Sequence, residues 1–211
     1  MVVTTVLCYG DSNTWGHDPS TGERLARDQR WPGVLRRSLG LGYEVIEEGL
    51  PGRTTVFSDP LEPYKSGKDY LVPCLGSHSP VDLVVLLLGT NDVQTRYSVS
   101  AMEISLGLGV LVDMIQSSAT GPGGTPPDVL VVAPPPIQTV PAEWAESFIG
   151  AEQKSRRLAE YYQRVADEYQ CEFFDSSSII VSSATDGIHW EASEHEKLGK
   201  ALASIVRLLA E

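Results

Sequence analysis

Cysteine is scarce and poorly spaced for crosslinking: Cys8, Cys74 and Cys171 are odd in number, lie far apart and include no Cys-x-x-Cys pair. Neither a disulfide framework nor a zinc site is indicated, and all three read as buried thiols. Basic residues are outnumbered, 16 against 28 acidic ones, for a formal net charge of −12 with histidine neutral. A field of that sign repels phosphate backbones and anionic lipid, which argues against nucleic acid and membrane as partners. Long apolar runs are missing as well. The longest candidates, Leu83–Leu88 and Val110–Val112, fall far short of the roughly 18 residues of a membrane span. The amino-terminal stretch has no basic start and no cleavage signal, the first basic residue being Arg24, so the expected location is cytoplasmic. There is no complete Gly-x-Gly-x-x-Gly, no P-loop glycine–lysine run and no His-Glu-x-x-His. A Gly-x-Ser-x-Gly elbow fails because Thr14 stands in its last place. Dinucleotide and zinc chemistry lose support.

Against these absences, 42% of the 211 residues are hydrophobic and 21% charged, enough apolar material for one packed core and one domain over 1–211. Apolar, β-rich runs recur at Val2–Tyr9, Tyr43–Glu47, Leu83–Leu88, Val129–Ala133 and Cys171–Phe174, separated by stretches long enough for helices. That alternation predicts an α/β fold, a parallel sheet covered on both faces. Helical spacing is clearest at Leu158, Tyr161, Tyr162, Val165 and Tyr169, and again at Leu198, Ala201, Leu202, Ile205 and Leu208. Two further helices are expected from Pro32 to about Leu39 and within Ser100–Ser118. Ser193-x-x-Glu196 reads as a capping box opening the last helix. Pro134–Pro136 breaks regular structure, and residues 137–150 then form an irregular excursion carrying Ile137, Trp144, Phe148 and Ile149, a candidate cap over a site or subunit contact, with a simple extension of the core as the equal alternative.

Ligands of open parallel sheets bind at the carboxyl ends of strands. The residues there are Gly10-Asp11-Ser12-Asn13, Gly49 to Thr55, Gly89-Thr90-Asn91-Asp92, and Asp186-Gly187-Ile188-His189 in the loop before the last helix. A seryl nucleophile needs an imidazole to take its proton, and the imidazole needs a carboxylate to fix its tautomer. Ser12, His189 and Asp186 supply that set. Taken singly, Ser12 reads as a helix cap, Asp186-x-x-His189 as a loop ion pair and Asn91 as a turn former. Acyl transfer also needs donors for an oxyanion, for which the Ser12 and Gly52 amides and the Asn91 side chain are candidates. Asp11 and Asp92 read as loop-capping carboxylates, and His17, His78 and His195 as solvated or structural.

In that order, the Gly-Asp-Ser block, the glycine block, Gly-Thr-Asn-Asp and the terminal Asp-x-x-His resemble the SGNH (GDSL) hydrolase superfamily. The stretches Asp28–Trp31, Glu44–Thr55, Leu86–Asp92, Val131–Pro136 and Asp186–His189 are similar to its arylesterase/acyltransferase, or perhydrolase, branch. The resemblance implies a three-layer α/β/α flavodoxin-like fold, its five-stranded sheet ordered 2-1-3-4-5, with no metal and no organic cofactor. It implies Ser12 as nucleophile, His189 as general base, Asp186 as its orienting acid, and Gly52 and Asn91 as oxyanion donors. Trp15, three residues from Ser12, is a candidate wall of the acyl pocket, supported by a matching tryptophan in the related acyltransferases. Asn13 replaces the usual leucine of the signature and is expected to change pocket polarity. The acyltransferase relatives are octameric, so a homo-oligomer is expected. The activity implied is a serine carboxylic-ester hydrolase acting on small esters, with water, an alcohol or a peroxide as acyl acceptor. Deacetylation of a carbohydrate or other metabolite, and a non-catalytic small-ligand binding module, are the alternatives.

Overall fold

The computed structural model describes residues 3–209; Val2, included in the expected first strand, lies outside them. Strands β1 (Thr4–Gly10), β2 (Tyr43–Gly49), β3 (Leu83–Leu87), β4 (Asp128–Ala133) and β5 (Glu172–Asp175) form one five-stranded sheet in the order β2-β1-β3-β4-β5. Every pairing is parallel, with Val6 beside Val45 on one side and beside Leu83 on the other. The expected strand order therefore holds.

Alternation along the strands builds two cores. Leu7, Tyr9, Val84, Leu86 and Val131 point to one face, where helices α3 (Gly67–His78), α4 (Ala101–Gln116) and α6 (Leu158–Tyr169) cover them. Val6, Cys8, Val85, Leu87 and Val132 point to the other, beneath α2 (Trp31–Leu39) and α7 (Ala192–Leu209). All of β3 is buried, as its unbroken apolar run requires. Two short helices complete the set, the single turn α1 (Ser12–Trp15) directly after β1 and α5 (Ala151–Ser155). No helix among the described residues is long and apolar enough to cross a membrane.

Two local expectations are corrected. The last helix begins at Ala192, so Ser193 already lies inside it and cannot act as its cap. Ser193 Oγ only reaches the Glu194 carboxylate at 3.4 Å, while Glu194 accepts the Val181 N–H at 3.1 Å. The capping box forms instead on α4, where Ser100 Oγ accepts the Glu103 N–H and the Glu103 carboxylate accepts the Ser100 N–H at 2.7 Å. The excursion at 137–150 contains a 3₁₀ segment, Ala142–Phe148, carried over the carboxyl edge of the sheet.

Candidate active site

The carboxyl edge is organised by short polar turns. After β1, Asp11 caps α1 by accepting the Asn13 N–H at 2.9 Å, which leaves Ser12 as the first helical residue. Its backbone N–H is one of the amides a helix start leaves without an internal partner. Burial pushes the Asp11 carboxyl up to about 6, against the pull of that hydrogen bond.

After β2, the loop Gly49–Arg53 turns through Gly52, whose φ of +79° is a left-handed conformation that a side chain would strain. The loop is held from below by Arg53. Its buried guanidinium donates to the Gly10 carbonyl at 2.9 Å and to the Glu48 carbonyl, and it lies over the Tyr9 ring at 4.2 Å. After β3, Asn91 Nδ2 donates to the Arg53 carbonyl at 3.0 Å. Asp92 accepts the Thr55 N–H at 2.9 Å and the Thr55 hydroxyl at 2.5 Å, and burial pushes its carboxyl up to about 6. Asp11 and Asp92 thus hold the loops, as the sequence suggested, and do not enter the cleft.

The fourth turn carries Asp186 and His189. Asp186 Oδ1 accepts the N–H groups of Ile188 and His189, each at 2.9 Å, and Oδ2 meets His189 Nδ1 at 2.6 Å. One carboxylate therefore fixes both the turn and the ring it supports. Burial alone would raise the Asp186 carboxyl, yet the hydrogen bonds from His189 and Ile188 outweigh it and hold it below the usual carboxylate value. The other edge of the imidazole reaches across the cleft, with His189 Nε2 2.9 Å from Ser12 Oγ. Hydroxyl, imidazole and carboxylate thus stand in series.

Ser12, Gly52, Asn91 and His189 line a cleft of about 630 Å³, together with His17 and Trp144. His17, which reads as solvated or structural in the sequence, thus lines the cleft as well. Its ring centroid lies 3.9 Å from that of His189, with the planes tilted by 34°, so the two imidazoles are in contact. Burial first, and the neighbouring His189 next, lower the His17 pKa, which keeps it neutral near pH 7. Two expected pocket residues are placed elsewhere. Asn13, within α1, is completely buried, because Asp11 fixes the helical turn with that side chain facing the interior. The Trp15 ring lies 6.5 Å from that of His17, under the Arg24 guanidinium at 5.1 Å. Neither borders the cleft.

A parallel sheet in this order, with serine, histidine and aspartate gathered in a cleft at its carboxyl edge, defines a hydrolase of the SGNH class. The chain belongs to the GDSL-like lipase/acylhydrolase family, which it matches over residues 8–196. Among solved structures, the aryl esterase of M. smegmatis is 43% identical over 98% of this chain and 100% of its own, with a TM-score of 0.94. A carbohydrate acetylesterase from Sinorhizobium meliloti is 42% identical over 98% of this chain and 99% of its own, also with a TM-score of 0.94. A G-D-S-L family protein from Veillonella parvula, 16% identical over 97% of this chain and 100% of its own, shares the fold with a TM-score of 0.69. No curated protein sequence matches the chain.

Proposed function

We propose that the protein is a serine carboxylic-ester hydrolase of the arylesterase/acetylesterase type, working through an acyl-enzyme on Ser12. The observation that carries this reading is the continuous path from Ser12 Oγ to His189 Nε2 at 2.9 Å and from His189 Nδ1 to Asp186 at 2.6 Å. Ser12 Oγ attacks the ester carbonyl while its proton passes to Nε2 of His189, and Asp186 holds the imidazole and stabilises its charge. The carbonyl oxygen, now negative, rests on the Ser12 and Gly52 amides and on the Asn91 side chain. Asn91 spends one amide hydrogen on Arg53 and has a second to offer. Collapse expels the alcohol, which takes the proton from Nε2. Water then attacks the acyl-enzyme, gives its proton to Nε2, and releases the acid and free Ser12.

An alcohol or peroxide attacking in place of water gives transesterification or perhydrolysis. Trp144 and Phe148, from the 3₁₀ excursion, stand over the cleft and reduce the water near the acyl group. A second reading, deacetylation of a carbohydrate, is favoured by the mix of Trp144 with Glu62, Gln94 and Arg96 on the same rim, a stacking surface beside hydroxyl-binding groups. Parallel turnover of an aryl acetate and an acetylated sugar separates the two.

The decisive test is intact-mass analysis after treatment with a phosphonylating esterase inhibitor. Wild type should gain one adduct per chain and lose turnover of a chromogenic acetate, and Ser12→Ala should show neither adduct nor turnover. A well-folded wild type that takes no adduct and turns over no ester would leave a ligand-binding cleft in place of an enzyme.

A further inference from the structure

A second cluster lies behind the catalytic edge, where the end of β2 meets α3. Cys74 and His78 are one helical turn apart on α3, so they share a face, and that face meets Glu48 of β2. Cys74 Sγ, an imidazole nitrogen of His78 and a carboxylate oxygen of Glu48 all lie within 4.8 Å of one another. The His78 Nε2 and Glu48 Oε1 atoms are 2.8 Å apart. Cys74 is fully buried, while the His78 and Glu48 side chains are 28% and 20% exposed, which leaves a way in from solvent.

We propose that Glu48, Cys74 and His78 form a binding site for a divalent cation of the zinc class. Thiolate, imidazole and carboxylate are the three donor types zinc takes from proteins, at about 2.0–2.3 Å, which places tetrahedral donors about 3.3–3.8 Å from one another. The observed spacing reaches that range if His78 and Glu48 part by roughly 1 Å and the thiol closes in. A thiolate and a carboxylate oppose the dication's charge beside the Arg53 guanidinium; burial and Glu48 push the Cys74 thiol up to about 12, so the ion must itself displace the thiol proton, and the fourth tetrahedral position is left for water. The cluster contains none of the residues assigned to ester cleavage, and the sequence reading passed over it because Cys74-x-x-x-His78 with a distant Glu48 matches no cysteine-pair spacing. Its consequence is mechanical: the ion would staple α3 to the end of β2, directly behind the Gly49–Arg53 loop.

The test uses the full chain after phosphonylation, which closes the catalytic cleft to metal. Cobalt(II), the spectroscopic substitute for zinc, should bind one per chain with a sulfur-to-cobalt charge-transfer band. His17, Asp186 and His189, the other group able to gather around a cation, contain no sulfur and cannot produce that band. Zinc should displace cobalt and raise Tm by about 4 °C or more at saturation. Cys74→Ala should abolish the band and the shift, and His78→Gln should weaken binding at least tenfold, while ester turnover of the untreated, metal-free variants stays at the wild-type rate in both. Should Cys74→Ala fail to fold, His78→Gln decides alone. Absence of the band in folded wild type, its persistence in Cys74→Ala, or unchanged affinity in His78→Gln would overturn the proposal.

Discussion

Asn91 donates one amide hydrogen to the Arg53 carbonyl, and the proposed oxyanion role falls to the other. Asn91→Ala should therefore lower kcat by about 100–1,000-fold with little change in KM, measured on a chromogenic acetate; an unchanged rate removes Asn91 from the oxyanion site. His17 makes a different contribution, packing its ring against His189. Replacing it with phenylalanine retains a flat ring there, whereas His17→Ala frees the base to swing and should cost about tenfold in kcat. Equal kinetics for the two variants would show that the contact is idle. Ser12, Asn91, Asp186 and His189 were legible because each sits directly after a strand or in an Asp-x-x-His turn, where chemistry fixes the spacing. His17 was not, since a lone histidine in a loop has no periodic signal and its partner lies 172 positions away, the difference of 189 and 17. Trp15 and Asn13 misled for the opposite reason: closeness to Ser12 in sequence says nothing about which side of a one-turn helix a residue occupies.

At the scale of elements, α2 and α7 approach closely because Gly199 has no side chain. A Cβ there would stand 2.6 Å from Val34 Cβ and 2.7 Å from the Trp31 carbonyl. Gly199→Ala should cost about 1–3 kcal/mol, read as a lower denaturant midpoint at unchanged slope. The same contact buries His195, whose Nδ1 accepts the Trp31 N–H at 3.2 Å. Burial pushes its pKa down from 6.5 to about 3, so between those values the unfolded chain carries a proton that the folded one refuses. This contribution to stability is complete above pH 6.5 and is lost as pH falls toward 3, at up to about 1.4 kcal/mol per pH unit. Unfolding free energies between pH 6.5 and 4 should show a shallower slope in His195→Gln, whose side-chain oxygen can still accept from Trp31. An equal slope in both proteins would mean that His195 takes up its proton in the folded state. The five strands could be read from apolar runs, but α3 could not. Pro73 sits inside it and its apolar residues follow no clean stripe, so tertiary packing of Leu71, Cys74 and Leu75 against the sheet, more than propensity, makes it a helix. Likewise, the two Ser-x-x-Glu patterns look alike in sequence, yet Ser100 stands just before α4 and caps it while Ser193 lies inside α7.

For the whole molecule, the resemblance to octameric acyltransferases predicts self-association. The exposed Trp144 and Ile149 of the excursion offer apolar surface for a second copy. Light scattering at micromolar concentration should give a multiple of 22.9 kDa; a particle of single-chain mass would end that expectation. Fold class was legible from the alternation of apolar runs with helical stretches, because parallel strands need crossover connections and those connections must cover both faces; the strand order came only with the family resemblance. Subunit contacts leave no comparable periodicity. The site itself spans almost the entire chain, with Ser12 and His189 separated by 177 residues. At synthesis rates of about 5–20 residues per second, a ribosome therefore releases the serine roughly 9–35 s before the histidine that would activate it. On the proposed mechanism the nascent chain carries an ordinary hydroxyl through that interval, and gains its base only when the Asp186–His189 turn reaches the carboxyl edge of the sheet.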